Sequence, residues 1–123
     1  MAGRRPESGV YIQLTTELSV LIQQRRTELQ TIAEKVSEIE SDADEHRLVI
    51  TTLADVYKKE PERTCFRLIG GVLVERTVKD VLVTLQTTMD GLANVIVELV
   101  KQYKIKEKEL ADLQEELQTQ PKT

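Results

Sequence analysis

Apolar residues recur along two long stretches of the chain, in steps that alternate between four and three residues. A repeat of 3.5 residues is typical of coiled-coil helices, because it keeps one seam of each helix facing a partner. The pattern predicts one such helix over residues 10–60 and a second over residues 77–118. The predicted seam positions are Leu18, Ile22, Arg25, Leu29, Ile32, Val36, Ile39, Ala43, His46, Ile50, Leu53 and Tyr57 in the first helix, and Val78, Leu82, Leu85, Met89, Leu92, Ile96, Leu99, Tyr103, Lys106, Leu110, Leu113 and Leu117 in the second.

The two seams can be paired with each other in one antiparallel register. This register places Tyr57 opposite Val78 near the middle of the chain and Leu18 opposite Leu117 toward its two ends. Every seam position between these limits also meets a seam position. The sequence therefore predicts a mainly α fold, in which one chain forms a long antiparallel two-helix coiled coil.

Two cations interrupt the apolar seam. In the same register Arg25 faces Leu110, and Lys106 faces Leu29. Charged side chains pack less well in a seam than apolar ones. We therefore expect the pairing to weaken toward the free ends of the helices and to let them splay.

Capping residues, prolines and a glycine indicate where the two helices begin and end. Thr77 with Asp80 resembles a capping box at the start of the second helix, and Pro61 follows two lysines at the end of the first. Pro6 and Gly9 make a helix start before residue 10 unfavourable. The remaining segments are predicted to be a flexible tail at 1–9, a linker and hairpin at 61–76, and a flexible tail at 119–123.

The segment between the helices, residues 65–76, reads CFRLIGGVLVER and predicts one β-hairpin. Gly70 and Gly71 can supply the positive φ angles of a tight two-residue turn. Such a turn places Ile69 opposite Val72, with Leu68 and Leu73 forming the next pair.

Both faces of this hairpin are apolar, and an isolated two-stranded hairpin with open edges is only marginally stable. We therefore expect hairpins of several chains to join into one intersubunit sheet or barrel. The predicted oligomerisation residues are Phe66, Leu68, Ile69, Gly70, Gly71, Val72, Leu73 and Val74.

The composition favours long helices over a globular core. Aromatic residues make up 3% of the 123 residues and charged residues 31%, as is typical of coiled coils. With a net charge of −4, the chain lacks the excess of basic residues that is typical of nucleic-acid-binding proteins. No segment has the length and apolarity of a membrane span or signal peptide, so a cytoplasmic location is expected, with a nuclear one as the alternative.

Catalytic and metal-binding chemistry is not indicated. His46 falls on a seam position, where packing is a better explanation than acid–base catalysis. A single thiol, Cys65, cannot form a disulfide within the chain or a cysteine-rich zinc site. Gly70 and Gly71 lack the further glycines and lysine of a phosphate-binding loop. We expect no enzyme activity, no catalytic residues, no metal and no cofactor.

The N-terminal end is more apolar than a seam requires, since its apolar residues spread around several sides of the helix. They are Val10, Tyr11, Ile12, Leu14, Leu18, Val20, Leu21 and Ile22. One interpretation is a frayed end or an end packed on another chain. The other is an exposed apolar surface that binds a partner.

Two segments around the hairpin closely resemble the β-type subunits of the prefoldin family. They are EHRLVITTL at 45–53 and RTCFRLIGGVLVERTVKDVLVTL at 63–85, and GGVLVERTVK at 70–79 is the most specific part. The single hairpin also fits this subunit type, because α-type subunits carry two.

The resemblance implies a hexamer of two α-type and four β-type subunits whose hairpins form paired β-barrels. It implies an ATP-independent co-chaperone that binds unfolded actin and tubulin and delivers them to the cytosolic group II chaperonin. By position and apolarity, the implied client-binding tips comprise Tyr11, Ile12, Leu14, Leu18, Leu21, Leu110, Leu113 and Leu117.

A structural adaptor or tether is the alternative function, with the coiled coil binding one folded partner helix. The hairpin discriminates between the two functions. A tether needs only the helices. A co-chaperone of this kind also needs an oligomerisation element that brings the coiled coils of several subunits together.

Overall fold

The computed structural model describes the backbone of residues 4–119 and the side chains of residues 12–119. Its elements follow the order α1 (Arg4–Lys59), β1 (Thr64–Ile69), β2 (Val72–Thr77) and α2 (Val78–Gln118). Two long helices joined by one antiparallel hairpin were predicted, and this architecture is confirmed. The chain divides into two compact units, one formed by α1 up to Val36 with α2 from Leu99 onward, the other by Ser37–Glu98.

The predicted seam accounts for the burial pattern of both helices. Every seam position from Leu18 to Tyr57 and from Val78 to Leu117 is buried or half-buried, while most other helical positions are exposed. The most buried seam residues of the first unit are Leu18, Ile22 and Ile32, and those of the second unit are Ile39, Ala43 and Val78. Narrow apolar stripes of this kind are what a 3.5-residue repeat produces.

Helix α1 begins at Arg4, before the predicted start at residue 10. The first four N–H groups of a helix have no partner inside it, so the missing N–H of Pro6 costs little there. The predicted tail at 1–9 therefore belongs largely to α1. Residues 1–3 and 120–123 of the two predicted tails lie outside the described residues.

The end of α1 is set by Pro61 and a short turn. The N–H of Glu60 donates to the carbonyl of Val56 at 2.8 Å, and the N–H of Arg63 then donates to the carbonyl of Glu60 at 3.0 Å. Because Pro61 has no N–H and cannot continue the helical pattern, the chain leaves the helix here. Lys58 and Lys59 in the last turn interact favourably with the helix dipole.

The hairpin has the predicted register. Ile69 pairs with Val72 and Leu68 pairs with Leu73. Gly70 and Gly71 have φ angles of 55° and 82°, as required at both central positions of a type I′ turn.

Strand β2 leads directly into α2, and the predicted cap marks the junction. The hydroxyl of Thr77 accepts a hydrogen bond from the N–H of Asp80 at 3.1 Å, which satisfies one of the unpaired donors of the first helical turn. The next residue, Val78, is only 1% exposed. The start of α2 is therefore fixed both by a cap and by a buried side chain.

The two seam cations are paired with carboxylates inside the first unit. The Nζ atom of Lys106 lies 2.9 Å from Oε2 of Glu28, and the Nε atom of Arg25 lies 2.8 Å from Oε2 of Glu109. These contacts join α1 to α2 one residue away from the predicted pairs, so they agree with the predicted register. Each seam cation thus lies within ion-pair distance of a carboxylate on the opposite helix, and the expected weakening of the seam stays a prediction.

Candidate assembly and client-binding surfaces

One face of the hairpin carries three large apolar side chains that remain exposed. Alternate residues of a strand point to the same side, and the register places Phe66 and Leu68 of β1 on the same face as Leu73 of β2. Their exposed fractions are 66%, 68% and 67%. Burial of a side chain of this size stabilises an association by about 1.5 to 3 kcal/mol, so this face is a strong candidate for an interface.

The other face is also apolar but less open. Ile69 and Val72 are exposed, whereas Val74 is half-buried. Arg67 pairs with Val74 across the strands and Arg76 pairs with Cys65, so each arginine shares this face with apolar neighbours. A long arginine stem can cover apolar surface while its charged end stays in water.

Both long edges of the hairpin are unpaired within the described part of the chain, since its sheet contains β1 and β2 alone. An edge strand presents a row of N–H and C=O groups to any further strand. The open edges and the exposed apolar side chains on both faces together make residues 64–77 suited to joining a larger sheet, although Glu75 pairs with Phe66 on the first face. The predicted oligomerisation residues are thus brought together on one element.

The predicted client-binding residues divide into exposed and seam positions. Ile12, Leu14 and Leu21 are exposed, and Ile12 is exposed to 66%. Leu18 is instead buried, because it belongs to the seam and packs within the first unit. The side chain of Tyr11 lies outside the described residues. The seam also holds the half-buried residues Leu110, Leu113 and Leu117.

Three further exposed apolar residues in the first unit are not among the predicted site residues. Val20 is half exposed on α1, and Val100 and Ile105 are exposed on α2. All three lie outside the seam, and an apolar residue at a non-seam position of a coiled coil is the signal that identifies them. A client-binding role for any of these residues stays a prediction.

A groove of about 430 Å³ lies between the helices of the first unit. It is an open depression with mostly polar walls, unlike the apolar pockets that bind small molecules. Its lining residues are Ser19, Ile22, Arg26, Gln114, Leu117 and Gln118.

His46 and Cys65 lie on different elements, α1 and β1. His46 is half-buried on the seam, and its Nδ1 lies 2.8 Å from the carbonyl oxygen of Asp42 in the preceding turn. Cys65 is half-buried in β1. The described residues contain no cluster of three potential metal ligands. Within the described part of the chain, no helix is long and apolar enough to cross a membrane.

Comparison with known proteins agrees with this architecture. A family profile described as "Prefoldin subunit" matches residues 16–123. The chain is 44% identical over 91 residues to a probable prefoldin subunit 2 of Schizosaccharomyces pombe, a match that covers 74% of this chain and 77% of the yeast protein.

Similar identity extends to other eukaryotes. The chain is 42% identical over 90 residues to prefoldin subunit 2 of Homo sapiens, covering 73% of this chain and 56% of the human protein. It is 42% identical over 87 residues to a probable prefoldin subunit 2 of Dictyostelium discoideum, covering 71% of this chain and 72% of that protein. The chain thus spans little more than half the length of its human relative. With its helix–hairpin–helix order and these matches, the chain belongs to the prefoldin subunit family, and the relatives described above are named prefoldin subunit 2.

Proposed function

We propose that this chain is a β-type subunit of a prefoldin hexamer, an ATP-independent co-chaperone that holds unfolded proteins. The observation that carries the proposal is that exposed apolar residues occur both on the hairpin and along the helices, with Ile12, Leu14 and Leu21 near the beginning of α1. The first set suits permanent assembly, because it combines apolar faces with open strand edges. The second set suits reversible contacts with non-native chains, because it consists of single apolar side chains on helix surfaces.

The hairpin acts as the hub in this proposal. Phe66, Leu68 and Leu73 are covered when hairpins of neighbouring subunits pair edge to edge into an intersubunit β-barrel. The partners are α-type and β-type prefoldin subunits. An adaptor that binds one folded helix has no use for such a hub, so the exposed hairpin favours the co-chaperone over the tether.

Client binding takes place at the free ends of the helices. Single exposed side chains such as Ile12, Leu14 and Leu21 bind weakly. When the coiled coils of several subunits contact one unfolded chain, the affinity for that client increases through multivalency. The proposed clients are nascent actin and tubulin, which the complex then delivers to the cytosolic group II chaperonin. The proposed location is the cytoplasm, with a nuclear pool as the alternative, and the cycle uses no cofactor.

The client-binding step is tested with a triple variant, Ile12→Ser, Leu14→Ser and Leu21→Ser, assembled with its partner subunits. All three residues are exposed, so the replacements leave the seam intact. We expect assembly at the normal mass but a several-fold loss in suppression of aggregation of a denatured actin client.

The matched control replaces three exposed apolar residues of the second unit, Leu48→Ser, Val83→Ser and Val97→Ser. Two of the three test residues are less exposed than any of these control residues, so the control removes at least as much exposed apolar surface. We expect it to retain suppression. Equal activity of the two triple variants contradicts the assignment of client binding to the free ends.

A further inference from the structure

A chain of four charged side chains crosses the first unit from one helix to the other. We call Arg25, Glu28, Lys106 and Glu109 the charged layer. Glu28 contacts both cations, since its Oε1 lies 3.2 Å from Nη1 of Arg25 and its Oε2 lies 2.9 Å from Nζ of Lys106. Arg25 in turn contacts Glu109 at 2.8 Å, in an ion pair whose Nε–H is not aligned as a hydrogen bond.

The layer has the same arrangement on both helices. Each helix supplies a cation at a seam position and a glutamate three residues later, and each cation contacts the glutamate of the opposite helix. Arg25, Glu28 and Lys106 are half-buried, so their attraction is screened less than that of fully exposed charges. The hydrogen bond from Lys106, helped by the charge of Arg25, holds the pKa of Glu28 below its ordinary value.

The apolar part of the seam does not by itself distinguish this register from its neighbours. A slip of one helix by seven residues again places seam positions opposite each other, because the repeat has that length. Leu29 would then face Leu113 after a slip in one direction and Leu99 after a slip in the other. Apolar contacts would be retained in both cases.

The charged layer does distinguish these registers. A slip in the first direction keeps Arg25 beside a glutamate, Glu116, but places Lys106 beside Lys35. A slip in the opposite direction places Arg25 beside Gln102 and Lys106 beside Leu21, so that each cation loses the carboxylate of the opposite helix. Contact between like charges is destabilising, and so is the loss of a carboxylate partner by a half-buried cation.

We propose that the charged layer fixes the register in which the two helices of the first unit pair, by disfavouring slips of one heptad. Single polar residues have this role in other coiled coils, where they specify register at some cost in stability. The hairpin connects the helices at their other ends, and the charged layer supplies a second, independent constraint near the free ends.

Reversal of one charge provides the test, because Lys106→Glu should favour the slipped register over the native one. The new carboxylate is repelled by Glu28 in the native register but meets Lys35 after the first slip, where Arg25 also meets Glu116. The register is read from disulfide formation in the full chain carrying Cys65→Ser. The pair Ile32→Cys and Tyr103→Cys reports the native register, and the pair Ile32→Cys and Leu110→Cys reports the slipped one.

We expect the unaltered charges to give the native disulfide almost exclusively. Lys106→Glu should lower the yield of the native disulfide several-fold and raise that of the slipped disulfide. The double variant Glu28→Lys with Lys106→Glu restores an opposite-charge pair between the helices and should restore part of the native yield, since the new cation at position 28 also lies beside Arg25. Lys108→Glu, the same charge change at an exposed position of α2, is the matched control and should have no effect.

An unchanged yield of the native disulfide in Lys106→Glu would overturn the proposal, because the register would then be set by the hairpin and the apolar contacts alone. Loss of the native disulfide without any gain in the slipped one would also overturn it. In that case the layer would hold the helices together without selecting between registers.

Discussion

The main-chain N–H of Val78 donates a hydrogen bond to the carbonyl of Arg63 at 3.0 Å, immediately before the first residue pair of the hairpin. This bond closes the base of the hairpin, where α2 begins. The side chain of Val78 is almost fully buried at the same point. The junction of hairpin and helix therefore combines a backbone bond with a packed side chain.

Truncation of this side chain should destabilise the chain. Val78→Ala removes two buried methyl groups, which is expected to lower the free energy of unfolding by about 2 kcal/mol, including the cavity that remains. Urea unfolding followed by circular dichroism measures the change. Val83→Ala makes the same substitution at an exposed position of α2 and should have little effect. Equal losses in the two variants would contradict the structural role of Val78.

The hairpin turn requires glycine for reasons of backbone conformation. A Cβ added at Gly70 would meet no atom within 4 Å, yet φ there is positive. Gly70→Ala should therefore cost about 1 to 2 kcal/mol through backbone strain. Gly91→Ala, in the middle of α2 and equally free of steric contact, should instead stabilise by up to about 1 kcal/mol. If Gly70→Ala and Gly91→Ala changed the free energy of unfolding in the same direction, this distinction would be refuted.

Charge placed on the open hairpin face should block assembly. We expect Leu68→Asp to remain helical but to fail to join a complex with α-type and β-type partner subunits, because an aspartate cannot be buried there without a partner. Sizing with light scattering gives the mass. Leu48→Asp is a close control, since the two leucines are 68% and 69% exposed. A normal assembly mass for Leu68→Asp would rule out the hairpin as the hub.

The stabilising effect of Glu28 should depend on pH. Its pKa in the folded chain lies below the ordinary value of 4.5, chiefly because of Lys106 and then Arg25. A carboxylate with a lowered pKa stabilises the fold fully above its ordinary pKa, and this contribution is lost as the pH falls through the folded value. Glu28→Gln should therefore melt at a lower temperature than the native chain at pH 7, and the difference should shrink below pH 4.5.

Thermal melts between pH 7 and pH 2.5 would provide this comparison. Glu107→Gln, which removes an exposed carboxylate from the same unit, controls for the change in net charge. A melting difference for Glu28→Gln that is independent of pH would show that the effect comes from packing and not from the ionised carboxylate.

The periodic features of the fold could be predicted from the sequence, because each follows from a local rule. The 3.5-residue repeat identifies the seam, and the two adjacent glycines determine which residues pair across the hairpin. The start of α1 could not be predicted in the same way, since a proline such as Pro6 is tolerated in the first turn of a helix and is also common outside helices.

The properties that depend on side-chain conformation were harder to predict. The heptad pattern marks Arg25 and Lys106 as interruptions of an apolar seam, and no periodicity indicates that Glu28 and Glu109 reach them. A single criterion, position near the free helix ends combined with apolarity, defines the predicted client-binding residues. That criterion cannot separate the exposed Ile12 from the buried Leu18, whereas the seam assignment of Leu18 can.

The charged layer also has a consequence for how the sequence can vary. Because Glu28 contacts both Arg25 and Lys106, a change at one of these positions alters the environment of the others. We expect relatives that replace Lys106 by an apolar residue to lose the acid at position 28 as well, and relatives that exchange the two signs to do so at both positions together. We therefore expect substitutions at these contacting positions to occur together in relatives, and single substitutions to be rare.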